Sequence, residues 1–306
     1  MPEGSSPTRT VAIGDEGSSQ LMAVGRVDTE RADKPLLVCL HGGGYDSGYF
    51  DIDGHSLLKD AADHGFNAIA LDRPGYGASV VPAGGQPSLA ESAQMISVAL
   101  QSLWEDYEST CPGIVLIGHS IGGAIAIHLA ASPQGWPLLG VSISGLGHIH
   151  VIPTGPWDGA PPDSTVEMPS DVRRMLLWGP DWTLQSAFTD RYAAADRPAP
   201  VAELVEIKHS WPHDFAGLAA RVRVPVQFAA AEFDTIWKVA PEAVAEFAAG
   251  FTAAPFVVGS QYRAVGHCID HHALGYAWHL EQFAFTLRCA MERSRPQVPG
   301  GEGVQD

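Results

Sequence analysis

Gly113-Ile114-Val115-Leu116-Ile117-Gly118-His119-Ser120-Ile121-Gly122-Gly123 is the stretch of this 306-residue chain whose reading decides the fold. Residues 113–117 are a short, continuous apolar run, the pattern of a strand buried on both faces of a parallel sheet. Residues 118–122 follow as G-x-S-x-G, and the small-residue run 123–131 reads as a helix. A strand that turns sharply into a helix holds the serine at the tip in a strained backbone conformation, with glycines beside it where neighbouring backbone comes close. The serine then stands at a helix N-terminus, which favours developing negative charge.

Outward from this turn the same rhythm repeats. Upstream, the apolar run 36–40 ends in His41-Gly42-Gly43-Gly44, a helix is expected over 53–64, and a strand over 67–71 ends in Asp72-Arg73-Pro74-Gly75-Tyr76-Gly77. A helix starts after Ser88, with Glu91 three residues on as a capping box, and runs to 107. Before all of these, 18–27 reads as an early strand, and downstream comes a strand at 139–144. Alternating strands and helices imply a mostly parallel, doubly wound α/β sheet with helices on both faces.

The alternation breaks over 147–212. Up to residue 211 this stretch holds eight of the 23 prolines and four of the eight tryptophans, Trp157, Trp178, Trp182 and Trp211. Helical patches are expected at 170–178, 184–195 and 201–210, with no clear strand, so the segment reads as a small helical cap inserted into the sheet domain. The rhythm resumes with a strand at 224–231 ending in Glu232-Phe233-Asp234, a helix at 241–251, a strand at 256–264 ending in Val265-Gly266-His267, and a last helix over 272–293. The expected organisation is a flexible N-terminus (1–16), a core formed by 17–146 and 213–293, the cap (147–212), and a flexible tail (294–306).

Composition bounds the partners. A net charge of −17 is the wrong sign for tracking phosphates or anionic membrane surfaces, so neither nucleic acid nor a membrane is expected. Four cysteines without a Cys-x-x-Cys pair argue against a disulfide framework, and Cys39 reads as buried filler. With no apolar leader and no membrane-length run, the expectation is a cytoplasmic protein. No Gly-x-Gly-x-x-Gly follows a strand and no Walker A sequence occurs, so no cofactor is implied.

Taken with their order, these motifs resemble the α/β-hydrolase superfamily, specifically its single-cap serine hydrolases, over about residues 20–290. The resemblance implies Ser120 as nucleophile, His267 as base and Asp234 as the acid that orients it, with Glu232, or an acid on an earlier strand, as substitutes. It also implies an oxyanion hole from the backbone N–H groups of Gly43 and Ile121, with Gly44 as second choice. Asp72-Arg73-Pro74-Gly75-Tyr76-Gly77-Ala78-Ser79 resembles a loop that is mostly structural in that superfamily.

Other residues receive plainer readings. His41 and His119 are expected to be buried supports, and His271, His272 and His279 surface or packing residues. His148-x-His150 and His267-x₃-His271 lack third and fourth partners at ligand spacing, so no metal is expected. Arg173 and Arg174 read as solvated charge. The cap's four tryptophans, Trp157, Trp178, Trp182 and Trp211, with Met168, Met175 and Leu176, fit a pocket wall and the cap's own core equally well. The implied reaction is hydrolysis of a carboxylic ester, and the implied substrate is an ester-like small molecule with an apolar part. Thioester, lactone or C–C bond hydrolysis and lyase chemistry remain alternatives on the same scaffold. C–C hydrolases of this type often carry Asn before the serine, where this chain has His119, and Asp-nucleophile relatives are set aside by Ser120. A binding module on a hydrolase scaffold is a further class, separated from an enzyme by turnover. Oligomeric state is not encoded in any motif.

Overall fold

The apolar runs read as strands are strands in a computed structural model that describes residues 9–13, 21–28, 33–79, 85–152, 155, 157–184 and 194–295. β3 (Leu36–Leu40), β4 (Ala68–Leu71) and β5 (Ile114–His119) are buried along their whole length. β9 (Val226–Ala231) is as well, β6 (Leu138–Ser144) is nearly so, and β10 (Val257–Tyr262) is the more open edge. β2 (Leu21–Arg26) alternates buried and half-buried residues, the signature of a strand with one wetter face. With β1 (Arg9–Ile13) they form one sheet in the order β1-β2-β4-β3-β5-β6-β9-β10. β2 runs antiparallel to both its neighbours, and the ladders from β4 to β10 are parallel.

The period-2 geometry of β3 divides the core. Leu36, Val38 and Leu40 face one side, packed with α2 (Leu89–Tyr107) and α3 (Ile121–Ala130). Leu37 and Cys39 face the other, packed with α1 (Leu57–Asp63) and α8 (Gly275–Arg293). Between β9 and β10 lies α7 (Pro241–Ala249). From β3 the chain moves outward to β4, then crosses back to β5 on β3's other side. Strand order therefore reverses between β3 and β5, and the crevice at their carboxyl ends is where such sheets place ligands. The glycine run after β3 and the serine after β5 meet there.

Inserted between β6 and β9 are β7 (Thr165–Val166), α4 (Ser170–Leu177), β8 (Ala199–Pro200), α5 (Val201–His209) and α6 (Trp211–Ala219).

Several sequence expectations need correction. Arg9–Ile13, read as frayed, forms β1, because a ladder of five residue pairs with β2 satisfies backbone groups that local composition does not reveal. The cap was read without strands, yet β7 and β8 pair antiparallel. The expected cap boundary at 212/213 falls inside α6. The helix expected over 53–64 is shorter, with α1 beginning only after Ser56, whose side chain accepts from Lys59 N–H, and a separate 3₁₀ turn precedes it at Ser47–Asp51. Most of the expected helical patch at 184–195, and the tail beyond 295, lie outside the described residues. Among the described residues no helix is long and apolar enough to cross a membrane.

The expected capping box is present: the Ser88 hydroxyl accepts from Glu91 N–H, and the Glu91 carboxylate accepts from Ser88 N–H at 2.9 Å. Ser88→Ala is expected to cost about 1 kcal/mol in urea denaturation, with the m-value unchanged.

Candidate active site

Ser120 sits between β5 and α3 with φ 51° and ψ −121°, a conformation that L-residues rarely adopt. The strain is held from both sides. Ser120 N–H donates to Ser144 O on β6 at 2.8 Å, and Ser120 O accepts from Gly123 N–H at 2.8 Å. The flanking glycines are steric necessities. A Cβ on Gly118 would stand 2.6 Å from Gly123 Cα, and one on Gly122 would overlap the carbonyl of Leu40. α3 begins at Ile121, one residue after the serine and two earlier than expected, so Ile121 N–H is a first-turn donor without an intrahelical acceptor.

His267 follows β10 and is buried. Its Nδ1 lies 2.8 Å from Oδ2 of Asp234, which follows β9. The other Asp234 oxygen accepts from Ile236 N–H at 2.8 Å and Trp237 N–H at 3.2 Å, which fixes the carboxylate's orientation. Glu232, the substitute acid, is committed elsewhere: its Oε2 accepts from Ala264 N–H at 2.7 Å, bracing the turn that leads to His267. Ser120 and His267 open on the same pocket, and among the described residues no hydrogen bond joins them. Such contacts commonly tighten only when substrate is bound.

Gly42, Gly43 and Gly44 line this pocket beside Ile121. Gly44 N–H, the second-choice donor, is engaged with the Tyr76 hydroxyl at 3.4 Å. Residues inserted between β6 and β9 line the pocket, whose empty space is ≈ 800 Å³ with the open solvent at its mouth included. Trp157, Met168, Leu176, Leu204 and Ile207 make it chiefly apolar. Met175 and Trp182 instead face solvent, while Trp178 and Trp211 are buried away from the pocket wall. His150 also lines the pocket; burial, then Lys208, pushes its pKa down to about 4, so it is neutral at neutral pH.

Arg173, read from the sequence as solvated, is buried in the pocket wall. Its guanidinium pairs with Asp196 at 2.9 Å and lies over the Tyr45 ring. Arg174 is the exposed one, paired with Asp181. Sequence alone cannot tell the two apart, because helix position decides which side chain turns inward.

The histidines read as surface or packing residues are all buried, and hydrogen-bonded. His272 Nε2 accepts from Gly266 N–H at 2.9 Å, and His271 Nε2 contacts Tyr49 O at 2.8 Å. His279 stands between two carboxylates, with Nδ1 2.7 Å from Asp60 and Nε2 3.4 Å from Asp270. The Tyr49 hydroxyl donates to Asp270 at 2.9 Å, and its ring stacks on His119, whose Nδ1 contacts the Ser144 hydroxyl at 3.2 Å. This cluster went unrecognised because its members come from distant segments. Burial alone would lower the pKa of His279, but Asp270 and Asp60 outweigh it and hold it above the ordinary imidazole value. Asp270 is also buried, which would raise its pKa, yet His279 holds it well below the ordinary carboxylate value.

Comparison with known proteins follows the same lines. Residues 37–281 match the model of the alpha/beta hydrolase family. Protein phosphatase methylesterase 1 of Bos taurus is 31% identical over 116 residues, covering 38% of this chain and 29% of that protein. The AB hydrolase superfamily protein YfhM of Bacillus subtilis is 30% identical over 126 residues, 40% of each chain. The chain thus spans less than half of the length of the methylesterases it matches, and less than a third of the mammalian ones. A thermophilic esterase from Thermogutta terrifontis superposes with a TM-score of 0.65 at 18% identity, covering 92% of this chain and 99% of that one. A monoacylglycerol lipase from Paleococcus ferrophilus gives 0.63 at 17%, covering 93% and 100%.

Two outcomes are expected. Gly122→Ala drives a methyl group into the Leu40 carbonyl and should lower stability by about 3 kcal/mol or more, measured by urea denaturation. The raised pKa of His279 contributes stability that is full below the unfolded imidazole value and lost as pH rises through the folded one. Stability measured from about pH 6 to about pH 9 should therefore decline more steeply in the wild type than in His279→Gln.

Proposed function

The chain belongs to the alpha/beta hydrolase family, and from that premise we propose that it is a serine hydrolase cleaving a carboxylic ester through an acyl-enzyme. The observation that carries this reading is the strained serine opening on the same pocket as His267, whose Nδ1 is 2.8 Å from Asp234.

The reaction runs as follows. Ser120 Oγ attacks the ester carbonyl carbon while His267 Nε2 takes the hydroxyl proton. Asp234 Oδ2 accepts the Nδ1–H, fixing the tautomer in which Nε2 is the free base, and stabilises the imidazolium that forms. The carbonyl oxygen becomes an oxyanion held by the N–H groups of Gly43 and Ile121, the latter reinforced by the N-terminus of α3. The tetrahedral intermediate collapses, the C–O bond to the alcohol breaks, and His267 returns its proton to the leaving oxygen. Water activated by the same imidazole then attacks the acyl-enzyme and releases the acid and the serine.

The substrate proposed is a small molecule with an apolar part, because the wall built by the cap is mainly aliphatic and aromatic, and its arginines are already paired with Asp196 and Asp46. Thioesters and lactones undergo the same acyl transfer at such a site.

Steady-state hydrolysis of p-nitrophenyl esters from acetate to decanoate tests the reading. Turnover by the wild type should fall about 10⁶-fold in kcat for Ser120→Ala and about 10⁴-fold for Asp234→Asn. Absence of turnover across the series by folded wild type would overturn the ester-hydrolase assignment. A severe effect of Glu232→Gln beside a mild Asp234→Asn would overturn the choice of acid.

A further inference from the structure

The loop that supplies one oxyanion donor consists of three glycines in succession, and a peptide flanked by glycines on both sides turns over easily. Gly42 C=O and Gly43 N–H belong to one planar trans peptide and point in opposite directions. Whatever holds the Gly42 carbonyl therefore aims the Gly43 N–H. In this protein the carbonyl is held twice: Arg73 Nη2 donates to it at 3.1 Å, and His41 Nδ1 lies 2.8 Å from it. His41 carries its proton on Nδ1, because its Nε2 accepts from Arg73 N–H at 3.2 Å.

The next peptide is clamped as well, since Gly44 N–H donates to the Tyr76 hydroxyl at 3.4 Å. Arg73 and Tyr76 are not free to move. The Arg73 guanidinium forms a buried ion pair with Glu203, and the Tyr76 hydroxyl donates to the same carboxylate at 2.5 Å. Glu203 belongs to neither loop; it projects from α5 of the cap. A buried ion pair is a poor source of net stability, since well-packed apolar residues of similar volume commonly do as well or better. Its connections to the loop give it another use.

We infer that Glu203 is a positioning residue for the oxyanion loop: through Arg73 and Tyr76 it sets the peptides on either side of Gly43, so the donor is aimed only while α5 of the cap is seated. The inference rests on the acyl-transfer reading above, in which Gly43 N–H serves the oxyanion. Glu203 itself touches no reacting atom. Its effect belongs to the transition state, where the oxygen bears charge, and much less to the ground state.

The test uses the full chain. Arg73→Met/Glu203→Leu removes both charges together and avoids stranding either one, and Tyr76→Phe removes only the hydroxyl. Each is assayed with a p-nitrophenyl ester, with kcat normalised to sites titrated by a fluorophosphonate, alongside the Ki of an alkyl boronic acid and a urea denaturation curve. The double variant is expected to lose about 10²–10³ in kcat with KM within about twofold, and its boronate affinity to fall by the same factor as kcat/KM. The pH midpoint of kcat/KM, which reports His267, should stay where it is in the wild type. Tyr76→Phe should shift kcat and boronate affinity in the same direction and to a lesser degree. A folded double variant that keeps its kcat, or loses only KM, overturns the inference and leaves the ester-hydrolase reading standing. Wild type that neither turns over ester nor binds boronate overturns that reading, and the inference with it. If the double variant does not fold, Tyr76→Phe decides: unchanged kcat and boronate affinity overturn the inference.

Discussion

Everything at the candidate site depends on how closely α3 approaches the end of β3. The helix that follows Ser120 starts so near the sheet that Gly122 rests against the Leu40 carbonyl and Gly118 against Gly123. That approach leaves the chain one residue in which to turn, and the residue is the serine, with positive φ. Three consequences share this single constraint. The serine is held out at the crevice where strand order reverses, its neighbour Ile121 presents an unsatisfied N–H, and the glycine loop after β3 lies directly beside both. The cost of the strained residue is carried by the surrounding packing and by its hydrogen bond to Ser144, which ties the turn to the next strand.

Around that frame several charged groups are buried or half-buried against one another. Arg73 and Glu203 join a core loop to the cap, Arg173 and Asp196 stand in the pocket wall, and Asp60, His279 and Asp270 join α1 to α8 and the turn before it. Arg73 with Glu203, and Asp60 with His279, join segments far apart in sequence. Such pairs contribute little net stability but are costly to break singly, so they act as constraints on how the segments may be arranged. The pocket surface that results is apolar because these charges are spent on one another.

How much of this was legible in the sequence follows from how local each constraint is. β3, β4 and β5 could be read because parallel strands buried on both faces are continuous apolar runs, and the G-x-S-x-G turn because its steric demands fall on adjacent residues. Asp234 and His267 could be picked out through the family resemblance, which implies an acid and a base just past two strands, and the structure brings their side chains into contact. β1 was missed because its partner, β2, supplies the reason for it to be a strand. Arg173 was misread and Glu203 passed over for the same cause on a larger scale: a charged side chain on a helix reads as solvated until its partner is known, and each partner lies on another element.

The position of the cap has a consequence for folding and for change over time. β6 and β9 are neighbours in the sheet, with Val141 opposite Val226, yet the whole cap lies between them in sequence. Closing a loop of that size before the pairing forms slows assembly, since non-local parallel pairing must wait for its ends to meet. The equilibrium cost grows only logarithmically, at about 0.6 kcal/mol for each doubling of the loop. Lengthening or rebuilding the cap is therefore thermodynamically cheap for the sheet. The segment that lines the pocket can change through insertions at this one junction while the strands, the turn at Ser120 and their packing stay fixed.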